Sequence, residues 1–175
     1  MFIPLSEVPS KALGSGEERH YFYFYERNSE LPVEVVITRL PPFYDANRNW
    51  HKHDFVEEFS VPLMGELVIR EKGNGKEDTV RKVANSILRG DEWVVGIECS
   101  NPNEVNLLLE SASGGRRKVK VVFDEKFSEG KNDHRIENPT NSMITVVTMK
   151  RVPKKILKKD PLIFRVDRNP ALDER

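Results

Sequence analysis

The sequence is short of the features that mark secreted, membrane and nucleic-acid-binding proteins. Its single cysteine, Cys99, can form no internal disulfide, so a reducing compartment, the cytoplasm, is the expected location. The 28 Lys and Arg are matched by 28 Asp and Glu, and without a basic excess no nucleic-acid partner is expected. No run approaches the roughly 18 apolar residues of a spanning helix, and Met1–Leu5 is too short for a signal peptide, so no membrane partner is expected either. Long helical periodicity is missing as well. Histidine is scarce: His20, His51, His53 and His134 are the whole supply.

What is present reads as one all-β domain spanning the 175 residues. A chain of this size buries about 70% of its unfolded surface, so it folds without metal or disulfide staples, and any metal is free to serve chemistry. Gly and Pro punctuate short β-branched and aromatic runs. Strands are expected near His20–Arg27, Val33–Leu40, Trp50–His53, Glu58–Leu63, Glu66–Glu71, Thr79–Leu88, Trp93–Cys99, Glu104–Ser111, Lys118–Asp124, His134–Asn138 and Met143–Lys150. Gly73-Asn74-Gly75, Asn101-Pro102-Asn103 and Ser113-Gly114-Gly115 carry turn chemistry between them. Such close spacing argues for a sandwich or barrel. The run His20 to Tyr25 alternates Tyr with Phe, so one strand shows Phe to one face and Tyr to the other. Beyond Lys150 the composition turns basic, and Leu162, Ile163 and Phe164 are expected to dock on the barrel or on a second chain.

The chemistry-bearing signal is His51-Lys52-His53, followed after four residues by Glu58 and after six more by Gly65. In a strand, residues two apart share a face, so the two imidazoles converge on one point, as ligands of one metal must. The same parity places Glu57, not Glu58, beside them if the strand is unbroken. Glu58 can join only if the chain turns between Asp54 and Glu57, and both carboxylates stay open at this point. His20 reads as structural, and Cys99 as a small core residue with no base beside it.

The segment His51–Leu67 resembles the first motif of the cupin superfamily, although Asp45 stands where that motif begins with Gly. For the second motif, Arg89-Gly90-Asp91 looks like an opening, but Asn101 occupies the histidine position. Gly130–Asn141 offers the H-x-x-x-N ending in His134 and Asn138, with one residue too many after Gly130 and Ser128 in place of Pro. The resemblance, covering roughly Trp50 to Lys150, implies a cupin-type β-barrel or jelly roll (double-stranded β-helix). Its core would run about 33–150 with extra edge strands, an N-terminal strand at 18–27 and a tail at 151–175. It implies His51, His53, Glu58 and His134 as ligands of a divalent iron, manganese, nickel, zinc or copper ion. It also implies a homodimer.

Two functions follow. One is a metal-dependent enzyme on a small polar molecule, like a sugar isomerase or epimerase or else like a dioxygenase, with Arg135, Tyr23 and Tyr44 as substrate-binding candidates. The other is a non-catalytic cupin that binds or senses a small molecule.

Overall fold

The computed structural model describes residues 1–8, 10–12, 16–24, 33–45, 50–53, 56–128 and 132–151, the side chains of Tyr23, Phe24, Ser100 and Glu125 excepted. The tail around Phe164 and the end of the aromatic run at Tyr25 lie outside them. The described residues form β1 (Ile3–Pro4), β2 (Ser10–Ala12), β3 (Glu18–Phe24), β4 (Val33–Leu40), β5 (Glu57–Pro62), β6 (Met64–Glu71), β7 (Thr79–Ser86), β8 (Glu92–Asn101), β9 (Glu104–Ser111), β10 (Arg116–Val122), β11 (His134–Glu137) and β12 (Ile144–Arg151). Only two 3-10 turns interrupt them. Among the described residues, no helix is long and apolar enough to cross a membrane.

The strands pair antiparallel in three open sheets, ordered β1-β8-β9-β10, β11-β6-β7 and β2-β3-β4-β12-β5. None closes on itself, so the expected barrel is a stack of layers. The five-stranded sheet lies in the middle. Its inner strands β4 and β12 read as nearly continuous β-branched runs, as strands covered on both faces do. Alternation divides them between two cores. Val35 and Ile37 of β4, with Val147 and Met149 of β12, join Phe22 and Phe59 against Val94, Ile97, Leu107 and Leu109 of the four-stranded sheet. Leu40, Ile144 and Val146 point the other way, onto Leu67 and Ile69 of the three-stranded sheet.

Strands β8, β9 and β10 form a consecutive meander that covers the outer face of the central sheet. Its turns use the chemistry read from sequence. Asn101 Oδ1 accepts from the Asn103 amide at 2.9 Å in the β8–β9 connection, and Gly114 takes φ 85° in the β9–β10 hairpin. Cys99, in β8, is buried, and its thiol donates to the Asn101 carbonyl at 3.2 Å. His20 rests between the Val8 carbonyl and Glu18, away from the other histidines.

One ion pair at the meander's end gives a pH test. Glu92 accepts from Arg117 Nε and Nη2, both at 2.7 Å, and from the Arg89 amide at 2.9 Å. The Arg117 hydrogen bond, helped by that amide, pulls the Glu92 carboxyl down to about 2. A carboxyl with a depressed folded pKa stabilises the fold above its unfolded value and loses that contribution as pH falls through the folded one. The gap in melting temperature between wild type and Glu92→Gln is therefore expected to be widest near neutrality and to shrink between about pH 4.5 and 2. A gap independent of pH would show that the Glu92 charge is not engaged.

Candidate metal centre

The two distant motifs meet through the backbone. His134 opens β11, and its amide donates to the His51 carbonyl at 2.8 Å while the His51 amide donates back to the His134 carbonyl at 3.2 Å. Residues that exchange both bonds in an antiparallel pair send their side chains to the same side. The two imidazoles are accordingly neighbours, with ring centroids 4.3 Å apart. That bridge is isolated, so the strand expected at Trp50–His53 is corrected to a single paired residue. His53 still faces the same point, 5.1 Å from the His51 ring and 5.4 Å from the His134 ring. The convergence comes from the loop's path, not from strand parity.

Where β5 starts decides which of the two carboxylates faces the imidazoles. His51 and Glu58 do not share a strand, so the parity that would favour Glu57 does not apply. Glu58 faces the imidazoles, its Oε2 against His53 Nε2 and 3.7 Å from His134 Nε2. Glu57 faces away and accepts from Arg151 Nε at 2.8 Å. One ligand atom from each of His51, His53, Glu58 and His134 falls within 4.8 Å of the others. His53, Glu58 and His134 are buried, and His51 is the partly exposed member.

The donor set fits a divalent transition metal. Both ring nitrogens of His53 and Oε2 of Glu58 are buried without an aligned hydrogen bond, an arrangement that is costly unless the atoms serve as ligands. Burial by itself would raise the Glu58 carboxyl. The charges of His53 and Lys150, with the close approach of the imidazoles, overcome it and hold Glu58 well below the usual carboxylate range, in the ionised form that ligation requires. Three imidazoles and one carboxylate suit iron, manganese, nickel, zinc or copper alike.

Around the cluster lies a cavity of about 30 Å³ walled by Val36, Thr38, Tyr44, Ile136 and Thr148, with Arg19 and Lys150 as its cations. Tyr44, a candidate from sequence, lines this space, and its hydroxyl donates to the buried Glu17. Glu17 in turn accepts from Arg19 Nε at 3.1 Å and Nη2 at 2.6 Å. Arg135 follows His134 in β11 and so points outward: it meets Asp45 and Glu137, both at 3.1 Å, and stacks over Trp50 at 4.8 Å. Tyr23 stands opposite Glu34 in the β3–β4 ladder, and its side chain lies outside the described residues. Glu17, Arg19 and Lys150 were not anticipated. The available signal was a charged residue inside a strand otherwise buried on both faces, as Lys150 is in β12.

No protein-family model matches the sequence, and no curated protein matches it. Solved structures do resemble it. A single-site variant of oxalate decarboxylase from Bacillus subtilis shares 12% identity over 87% of this chain and 29% of its own, with a TM-score of 0.51. A Cupin 2 conserved barrel domain protein from Salinispora arenicola shares 10% identity over 91% of this chain and 93% of its own, with a TM-score of 0.48. The CENP-C cupin domain of Drosophila melanogaster shares 11% identity over 83% of this chain and 75% of its own, with a TM-score of 0.44. At these identities the likeness speaks for the fold alone. The fold is that of a cupin, and the cluster within it could hold a metal ion.

Proposed function

We propose that this protein is a metal-dependent enzyme acting on a small polar molecule, with His51, His53, Glu58 and His134 as the ligands. The observation that carries the reading is the convergence of four donors within 4.8 Å, three of them buried, with His53 and Glu58 atoms left without aligned hydrogen bonds. A bound divalent ion would supply Lewis-acid polarisation of a substrate oxygen. The chain adds a proton-handling group. The Tyr44 hydroxyl lines the cavity and shares its hydrogen bond with Glu17, so a proton moved at Tyr44 has a buried carboxylate to receive or return it. That pairing favours the isomerase or epimerase chemistry over the dioxygenase.

The test is bound metal, measured by mass spectrometry on protein purified without a nickel column. A near-stoichiometric ion is expected at pH 8, falling away as pH drops toward and below ~6.5, because imidazoles must be neutral to ligate. Zinc or manganese would fit the isomerase reading and iron the dioxygenase. Absence of metal after reconstitution with iron, manganese, nickel and zinc would overturn the proposal and leave the non-catalytic binding module.

A further inference from the structure

The four ligands hang on an uneven joint. On one edge β11 is secured by a four-residue ladder with β6, whereas on the other, among the described residues, the backbone of the His51 segment meets it only at the lone His51–His134 bridge. His51 is also the one ligand of the four that is not buried. Two hydrogen bonds fix one residue pair, yet a ligating ring must be held within about 0.5 Å and 10–20° of its working geometry. Something besides the bridge has to hold His51.

The holding contacts lie on the opposite face. One step from the bridge along each chain stand Trp50 and Arg135, a cross-strand pair that leaves the sheet on the side away from the imidazoles. The Arg135 guanidinium lies over the Trp50 ring at 4.8 Å, and Lys72 Nζ, from the residue after β6, lies 4.8 Å from the same ring centre. Tryptophan offers a cation the strongest such face. Arg135 is itself fixed: its side chain is 12% exposed, and it pairs with Asp45 and Glu137, both at 3.1 Å. Glu137 is held in turn by Arg70 Nε at 2.6 Å. Asp45 and Trp50 bracket the stretch that leads into His51-Lys52-His53, so one guanidinium grips it at both ends. Simple surface packing at position 50 would ask only for apolar bulk. A ring met by two cations is held in a direction as well.

We propose that Trp50 and Arg135 are positioning residues of the metal centre: their stack, on the outer face of the bridge, orients His51 toward His134 and so sets the affinity for the metal. This rests on the metal reading above and adds how the site is held. Arg135 thereby acts on the centre from behind, in place of the substrate contact expected from sequence.

The experiment is zinc affinity at pH 8, by competition with a coloured chelator, for wild type, Trp50→Phe, Trp50→Leu and Arg135→Gln, with the melting temperature of each metal-free protein measured alongside. Phenylalanine keeps a π face, whereas leucine keeps apolar bulk alone. Trp50→Leu and Arg135→Gln are each expected to weaken zinc by about tenfold or more, as loss of an outer support does, and Trp50→Phe by no more than about threefold. The two Trp50 variants should melt within a few degrees of each other without metal. A wild type that binds no zinc would sink the metal reading and this proposal with it. With zinc bound by the wild type, a Trp50→Leu as tight as wild type, equal weakening in Trp50→Leu and Trp50→Phe, or an unaffected Arg135→Gln would overturn the positioning role alone. Arg135→Gln leaves the ring in place, so it decides the question should the Trp50 variants not fold.

Discussion

Glu58→Gln is expected to reduce metal affinity by more than about 100-fold, the upper end of what losing even an outer-sphere partner costs. Glu57→Gln should leave it unchanged. The two residues are adjacent in sequence but opposed in space. Glu58 lies against His53 and 3.7 Å from His134, whereas Glu57 is engaged by Arg151 on the far side of β5. Glutamine keeps the size of the side chain but removes the only anionic ligand, leaving a divalent ion with neutral donors. His51→Ala and His134→Ala should each abolish stoichiometric loading. Their loss would be informative because the His51–His134 backbone bridge needs neither imidazole, so the fold survives and only the ligands go. Glu57→Gln should cost no more than about 1 kcal/mol of stability, since its ion pair is partly exposed. Metal retained in Glu58→Gln but lost in Glu57→Gln would reverse the assignment.

The largest single loss of stability from a polar substitution is expected at Asn138. Its side-chain amide donates to the carbonyls of Leu40 at 3.3 Å, Pro41 at 2.9 Å and Ser142 at 2.8 Å, while its Oδ1 accepts from the Thr140 amide at 3.0 Å and hydroxyl at 2.7 Å. It is fully buried. Its own amide donates to Tyr44 at 2.8 Å, so this one residue ties the end of β11 to the loop that carries Tyr44. Asn138→Ala leaves several buried groups without partners at about 1–3 kcal/mol each before relaxation and water entry, giving a net loss of about 2–4 kcal/mol. For a domain of this size that lowers the melting temperature by roughly 5–15 °C. Asn138→Asp should be at least as harmful. It preserves the acceptor for Thr140 but sets a carboxylate oxygen against three carbonyls. Thermal unfolding of both variants tests this, and a Tm within a degree or two of wild type in either would show that Asn138 is not the tie described.

Much of this was legible beforehand, for physical reasons that differ by element. The strands at Val33–Leu40, Glu104–Ser111 and Met143–Lys150 announce themselves because β-branched and apolar runs between turn residues have few other ways to bury themselves. The two-residue pairing of β1 and the three of β2 left no such signature. Trp50–His53 reads as a strand from its residue pattern, yet a single bridge does the work. His134 entered through the H-x-x-x-N resemblance, and the backbone bridge to His51 is the physical reason the two motifs meet. The roles of Arg19 and Lys150 were hidden. A strand covered on both faces has no solvent side, so alternation alone cannot say which face holds the polar site.

The shared central sheet also protects its own alignment. Along β12, Thr148 and Lys150 face the cavity while Val147 and Met149 face the apolar core. A slip of one residue against β4 or β5 would exchange the two sets at once. It would drive an ammonium and a hydroxyl into hydrocarbon and turn a valine and a methionine toward the ligand atoms. A strand with one wet face tolerates such an error more readily, because misplaced polar groups can find water. Here neither side forgives it. The polar residues that equip the cavity therefore also proofread the pairing that builds it.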